Sequence, residues 1–76
     1  MITVKLYGLI RLDSGIRHRQ VEADTIQEVF QDLAALGIPM KELRGCAILI
    51  NGKPGNRRSK LQDGDTVQLL PPVAGG

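Results

Sequence analysis

Between Thr25 and Gly37 lies the one segment of this sequence whose pattern admits a single secondary structure. Thr25 and Glu28 form a Thr-x-x-Glu capping box, and Ile26, Val29, Phe30, Leu33 and Leu36 follow at helical spacing. Gly37 suits a left-handed C-terminal cap, and Pro39 bars continuation of the helix. An apolar stripe of this kind is stable only against a second apolar surface. With 76 residues in all, the chain has room for one domain that buries about 60% of its unfolded surface. The remaining apolar runs are short and read as strands, so the chain is expected to be α+β, one helix packed across a sheet. Phe30 then belongs to the core.

Ile2, Val4 and Leu6 alternate with Thr3, Lys5 and Tyr7, the period of a strand with one buried face. Asp13-Ser14-Gly15 supplies turn chemistry, after which residues 16–22 return as a weaker strand completing a hairpin. In that strand Arg17-His18-Arg19 offers no apolar side, as befits an edge strand guarded by charge. His18 has no cysteine, second histidine or carboxylate at ligand spacing, and reads as a solvated edge residue. Cys46-Ala47-Ile48-Leu49-Ile50 is an interior strand closed by the turn pair Asn51-Gly52. Residues 53–60 form an exposed basic loop with a short edge strand, and Thr66 to Leu70 form the last strand.

Composition removes several functions. The formal charge of +2 does not by itself imply nucleic acid, and the basic loop carries no exposed aromatic platform for bases. No apolar run spans a membrane and no charged-then-apolar leader follows Met1, so a cytoplasmic protein without membrane contact is expected. A single cysteine makes no internal disulfide, and a reducing compartment is the default. Cys46 opens an apolar strand and reads as a small hydrophobe, not a sulfur acceptor. No nucleophile-base pair, phosphate-binding glycine loop or metal cluster can be assembled, so the chain is not expected to be an enzyme or to bind a metal.

What remains is the end of the chain, Pro71-Pro72-Val73-Ala74-Gly75-Gly76. Two prolines end sheet pairing, and paired glycines are costly to order, so residues 71–76 read as a flexible tail presented by a domain of residues 1–70. Six extended residues reach roughly 20 Å, from a domain surface into a partner's active site. The segment Leu61-Gln62-Asp63-Gly64-Asp65-Thr66-Val67 leading into this tail resembles the C-terminal signature of the ubiquitin-like sulfur carriers of the MoaD/ThiS family, in particular the small subunit of molybdopterin synthase. Residues 2–8, Thr25-Ile26 and Ile50-Asn51-Gly52 also fall where that family has counterparts. Where many members turn with an Ala-Arg-Glu-like segment, this chain has Gly8-Leu9-Ile10-Arg11-Leu12. The order of elements matches a ubiquitin-like β-grasp of four to five strands. The resemblance implies that the last strand lies beside the first, parallel and central.

The resemblance also implies a chemistry. An adenylating, E1-like partner would use ATP to activate the Gly76 carboxylate, a sulfur donor protein would convert it to a thiocarboxylate, and an acceptor enzyme would take the sulfur. The chain would bind no cofactor itself. Gly76 would carry the reacting carbon, Gly75 would permit close approach, and Pro71, Pro72, Val73 and Ala74 would set the reach. The expected acceptor is the molybdopterin synthase large subunit. Thiamine synthesis, tRNA thiolation and cysteine synthesis remain alternatives, as do conjugation of Gly76 to protein lysines and a plain interaction domain with an idle tail. Strand parity sets Tyr7 and Leu70 on the sheet face away from the helix, at the end from which the tail leaves. They are the expected partner-binding pair.

Overall fold

The computed structural model describes residues 1–72. Five strands, β1 (Ile2–Leu6), β2 (His18–Val21), β3 (Ala47–Ile50), β4 (Lys53–Gly55) and β5 (Thr66–Leu70), form one mixed sheet in the order β2-β1-β5-β3-β4. The last strand is central, parallel to β1 and antiparallel to β3, with Val4 opposite Val67 and Leu6 opposite Leu69. This is the β-grasp expected from the order of elements. Ile2, Val4, Leu6, Val67 and Leu69 point to one face and join Ile26, Val29, Phe30 and Leu33 of the crossing helix in a single buried cluster.

That helix, α2 (Ile26–Ala35), begins as its residues dictate: the Glu28 amide donates to the Thr25 hydroxyl, while the Glu28 carboxylate accepts from the Asp24 amide. It ends in a Schellman motif. The amide of Gly37, at φ +103°, donates to the Ala34 carbonyl and that of Ile38 to the Leu33 carbonyl, and Ile38 is buried with Leu33. Leu36, read from spacing as part of the apolar stripe, is instead the capping residue and stays 46% exposed. The chain has already begun to turn away there.

Two further helices depart from the sequence reading. Residues expected to form a hairpin connection are α1 (Gly8–Ser14), and Ser14-Gly15 is its end: Gly15 is left-handed, its amide donating to the Arg11 carbonyl, and the Ser14 hydroxyl donates to the Ile10 carbonyl. The returning strand consequently starts at His18, not Ile16. The third helix, α3 (Met40–Arg44), follows Pro39 and buries Leu43. Both are short, marginal in isolation and held by one buried side chain apiece, Ile10 and Leu43. Asn51-Gly52 turns with φ of +52° and +82°, the two positive angles of a primed hairpin turn between β3 and β4.

Candidate functional site

The root of the tail is fixed from both ends of β5. At its start, Leu61-Gln62-Asp63-Gly64-Asp65 folds into a clasp. The Gln62 amide donates to the Asp65 carboxylate, the Asn51 side-chain amide donates to the same carboxylate, and the Thr66 amide donates to the Asn51 side-chain carbonyl. Gly64, at φ +93°, donates to the Met1 carbonyl, and Thr3 donates to the Asp65 carbonyl. These bonds set the parallel register of β5 against β1. The Gln62 amide and then the Asn51 amide hold the Asp65 carboxyl below its usual range.

At the other end, β5 delivers Pro71 and Pro72 beside the Tyr7-Gly8 junction. Gly8 has φ +63°, and a Cβ built there would sit 2.6 Å from Pro71 Cγ. The Pro71 ring therefore occupies space left by the missing side chain. Gly8→Ala is expected to cost about 1–2 kcal/mol through the left-handed backbone alone, plus whatever displacement of the ring requires. Adding Pro71→Ala should recover only the second part, which thermal melts of the single and double variants will separate.

Tyr7 and Leu70 take the positions that strand parity assigns. The Gln68 side-chain amide donates to the Tyr7 hydroxyl over 2.9 Å, on the sheet face opposite the helix. Leu70 lies opposite Ala47 on that same face. Both are half-buried. Greater apolar exposure lies elsewhere: Leu9 and Leu12 of α1 are 65% and 70% exposed. Leu9, with Lys41, Gly45, Pro71 and Pro72, lines a cleft of about 410 Å³ at the tail root. In the sequence these leucines are hidden, because their segment ends in turn-type residues and reads as a connection; their i, i+3 spacing is the available signal. Val73, Ala74, Gly75 and Gly76 lie outside the described residues.

His18 is exposed and opposes Lys5 across the β1–β2 pair. Arg19, on the helix face, donates two hydrogen bonds to the Asp32 carboxylate of α2 at 2.7 and 3.3 Å, which explains a cation at a position that pleat directs inward. Cys46 is buried, its thiol donating to the Glu42 carbonyl. Burial first and the Glu42 charge second push that thiol up to about 11, so it is a poor nucleophile near neutrality. Among the described residues no group of His, Cys, Asp and Glu could hold a metal ion, and no helix is long and apolar enough to cross a membrane.

The model of the ThiS family matches residues 4–76. No curated protein matches the chain in sequence. Among solved structures, the chain is similar to one in the complex of subunits 1 and 2 of the molybdopterin-converting factor of Helicobacter pylori, with 30% identity over 99% of this chain and 97% of that one and a TM-score of 0.74. It is similar at 25% identity to a chain of the BexX/CysO complex of Amycolatopsis orientalis, covering 100% of each with a TM-score of 0.81. SAMP1 of Haloferax volcanii is also 25% identical, over 99% of this chain and 98% of its own, with a TM-score of 0.76.

Proposed function

This chain belongs to the ThiS family of ubiquitin-like sulfur carriers, and from that premise we propose that its Gly76 carboxylate is activated and loaded with sulfur for delivery to an acceptor enzyme. One observation carries the reading: the strand that leads to the terminal glycines is the central strand of the sheet, clasped at its start and seated against Gly8 at its end. A domain that roots its last strand so firmly is suited to presenting the residues beyond it.

The chemistry requires activation because sulfide does not displace oxide from a carboxylate. A carboxylate oxygen of Gly76 would attack the α-phosphorus of ATP on a partner enzyme, expelling pyrophosphate and leaving an acyl-adenylate. The terminal sulfur of a donor persulfide would then attack the carbonyl carbon, with AMP as leaving group. A second thiol would split the resulting acyl disulfide, forming a disulfide with the donor and freeing the thiocarboxylate. The chain is the carried reagent and the partners supply acid, base and charge stabilisation. We place this chemistry in the reducing cytoplasm.

For the acceptor we favour molybdopterin synthesis, supported by 30% identity to a chain of a molybdopterin-converting factor complex. The similarity to SAMP1 supports a second reading, conjugation of Gly76 to protein lysines. Incubation with the activating enzyme, ATP and a persulfide donor should exchange one carboxylate oxygen for sulfur, visible by intact mass. Absence of that exchange overturns the carrier reading, and ladders of higher-mass conjugates on denaturing gels select the modifier. Leu70→Asp is expected to weaken binding to the activating or acceptor enzyme by on the order of 2 kcal/mol, because a half-buried apolar side chain beside the tail root is a natural anchor. Calorimetric titration beside a melting curve checks it.

A further inference from the structure

The face of the sheet that bears Tyr7 also carries a concentration of positive charge that the sulfur chemistry does not use. Lys5, Tyr7, Arg11, Arg17 and His18 line one cleft of about 250 Å³ between the β1–β2 edge and α1, and no carboxylate lines it. The fold collects these groups from separate elements. Lys5 and His18 oppose each other across the antiparallel pair, the Arg17 carbonyl accepts from the Leu6 amide, and Arg11 arrives on α1. Among the described residues, none of the three cations, Lys5, Arg11 and Arg17, forms an ion pair; the paired arginine of this region is Arg19, on the opposite face.

We propose that this cleft is a docking site for an acidic peptide segment, rich in Glu or Asp, on the enzyme that engages the tail. It rests on the carrier reading and adds the chemistry of the partner's surface. The position argues for it: β1 and β5 are parallel, so Tyr7, which lines the cleft, shares a hydrogen bond with Gln68 and precedes the glycine under Pro71. Unpaired cations at the tail root would be neutralised as the tail is inserted, which speeds encounter and fixes orientation. Single-stranded nucleic acid fits less well. The chain has one tyrosine and one phenylalanine; Tyr7 is half-buried with its hydroxyl engaged, and Phe30 is 0% exposed, so neither ring is an exposed stacking platform for bases. A second basic region, Arg57 and Arg58 beside Thr25 and Gln27, lies at the start of α2 and provides a matched control.

The test is an NMR titration of the ¹⁵N-labelled chain with an octaglutamate peptide, with a single-stranded oligonucleotide of equal charge and phosphatidylserine vesicles as comparators. The peptide should shift the amides of Lys5, Arg11, Arg17 and His18. Lys5→Glu/Arg17→Glu should weaken it about tenfold or more, while Arg57→Glu/Arg58→Glu, an identical change in net charge, should leave it nearly unaltered. Equal loss in both variants, shifts confined to residues 57–60, or tighter binding of oligonucleotide or vesicles would each overturn the proposal. In sulfur loading, Lys5→Glu/Arg17→Glu should raise KM for the carrier about tenfold, with a far smaller effect on kcat and a steep loss of the difference at high salt. An unaltered KM overturns the docking role. A parent chain that takes up no sulfur overturns the carrier reading, while the peptide titration still decides the site.

Discussion

A chain cut after Ala74 is expected to take up no sulfur and yet to melt at the temperature of the full-length chain. The two halves of this expectation have different causes. Loss of loading comes from the site of chemistry: a carboxylate two residues short does not reach the activated phosphorus, and Ala74 brings a Cβ where Gly76 brings none. Unchanged melting comes from the core, whose buried cluster among the described residues runs from Ile2 to Leu69 and includes neither Pro71 nor Pro72. A chain extended by one residue beyond Gly76 should fail equally, because it keeps both glycines and moves the carboxylate off them. The pair of variants therefore separates the need for a terminal glycine carboxylate from the need for glycine itself. Intact mass after incubation with activating enzyme, ATP and donor reads the first half, and a melting curve the second. Sulfur uptake by the truncated chain would remove Gly76 as the reacting residue.

Much of this architecture is legible in the sequence because several of its elements are locally overdetermined. Thr25, Glu28 and Gly37 mark both ends of α2, and the alternation of Ile2, Val4 and Leu6 fixes which face of β1 is inward. The central, parallel position of β5 comes from family resemblance, since no local pattern distinguishes a central strand from an edge strand of the same composition. What escapes are elements made by tertiary contact. The segment after Tyr7 is helical because Ile10 can be buried and Gly15 can cap, yet Gly8 and Ser14-Gly15 carry the same residue types that mark turns. Misreading that segment hides the exposed Leu9 and Leu12, and with them Arg11 in the cationic cleft. Gly8 reads as the first residue of that connection; its role under Pro71 depends on a contact across more than sixty residues of chain, beyond what spacing can report.

Phe30→Ala is expected to destabilise the domain by about 3–5 kcal/mol, the usual cost of removing a buried phenylalanine. Phe30 is 0% exposed in the cluster shared by α2 and the inner faces of β1 and β5. Its ring is the largest fully buried side chain, so its removal leaves a cavity rather than a gap that water fills. A domain of this length has roughly 4–11 kcal/mol in total, so the variant ranges from unfolded to retaining about three-quarters of the parent's stability. Leu36→Ala is the control. It removes an apolar side chain at the end of the same helix, but from a site 46% exposed, and should stay within roughly 0.5 kcal/mol of the parent. Urea unfolding at fixed temperature compares the two through their midpoints, with the slope checking that the unfolded state is unchanged. Equal midpoints for the two variants would mean that α2 is not seated on the sheet through Phe30, and that the face opposite the docking surface is not the core.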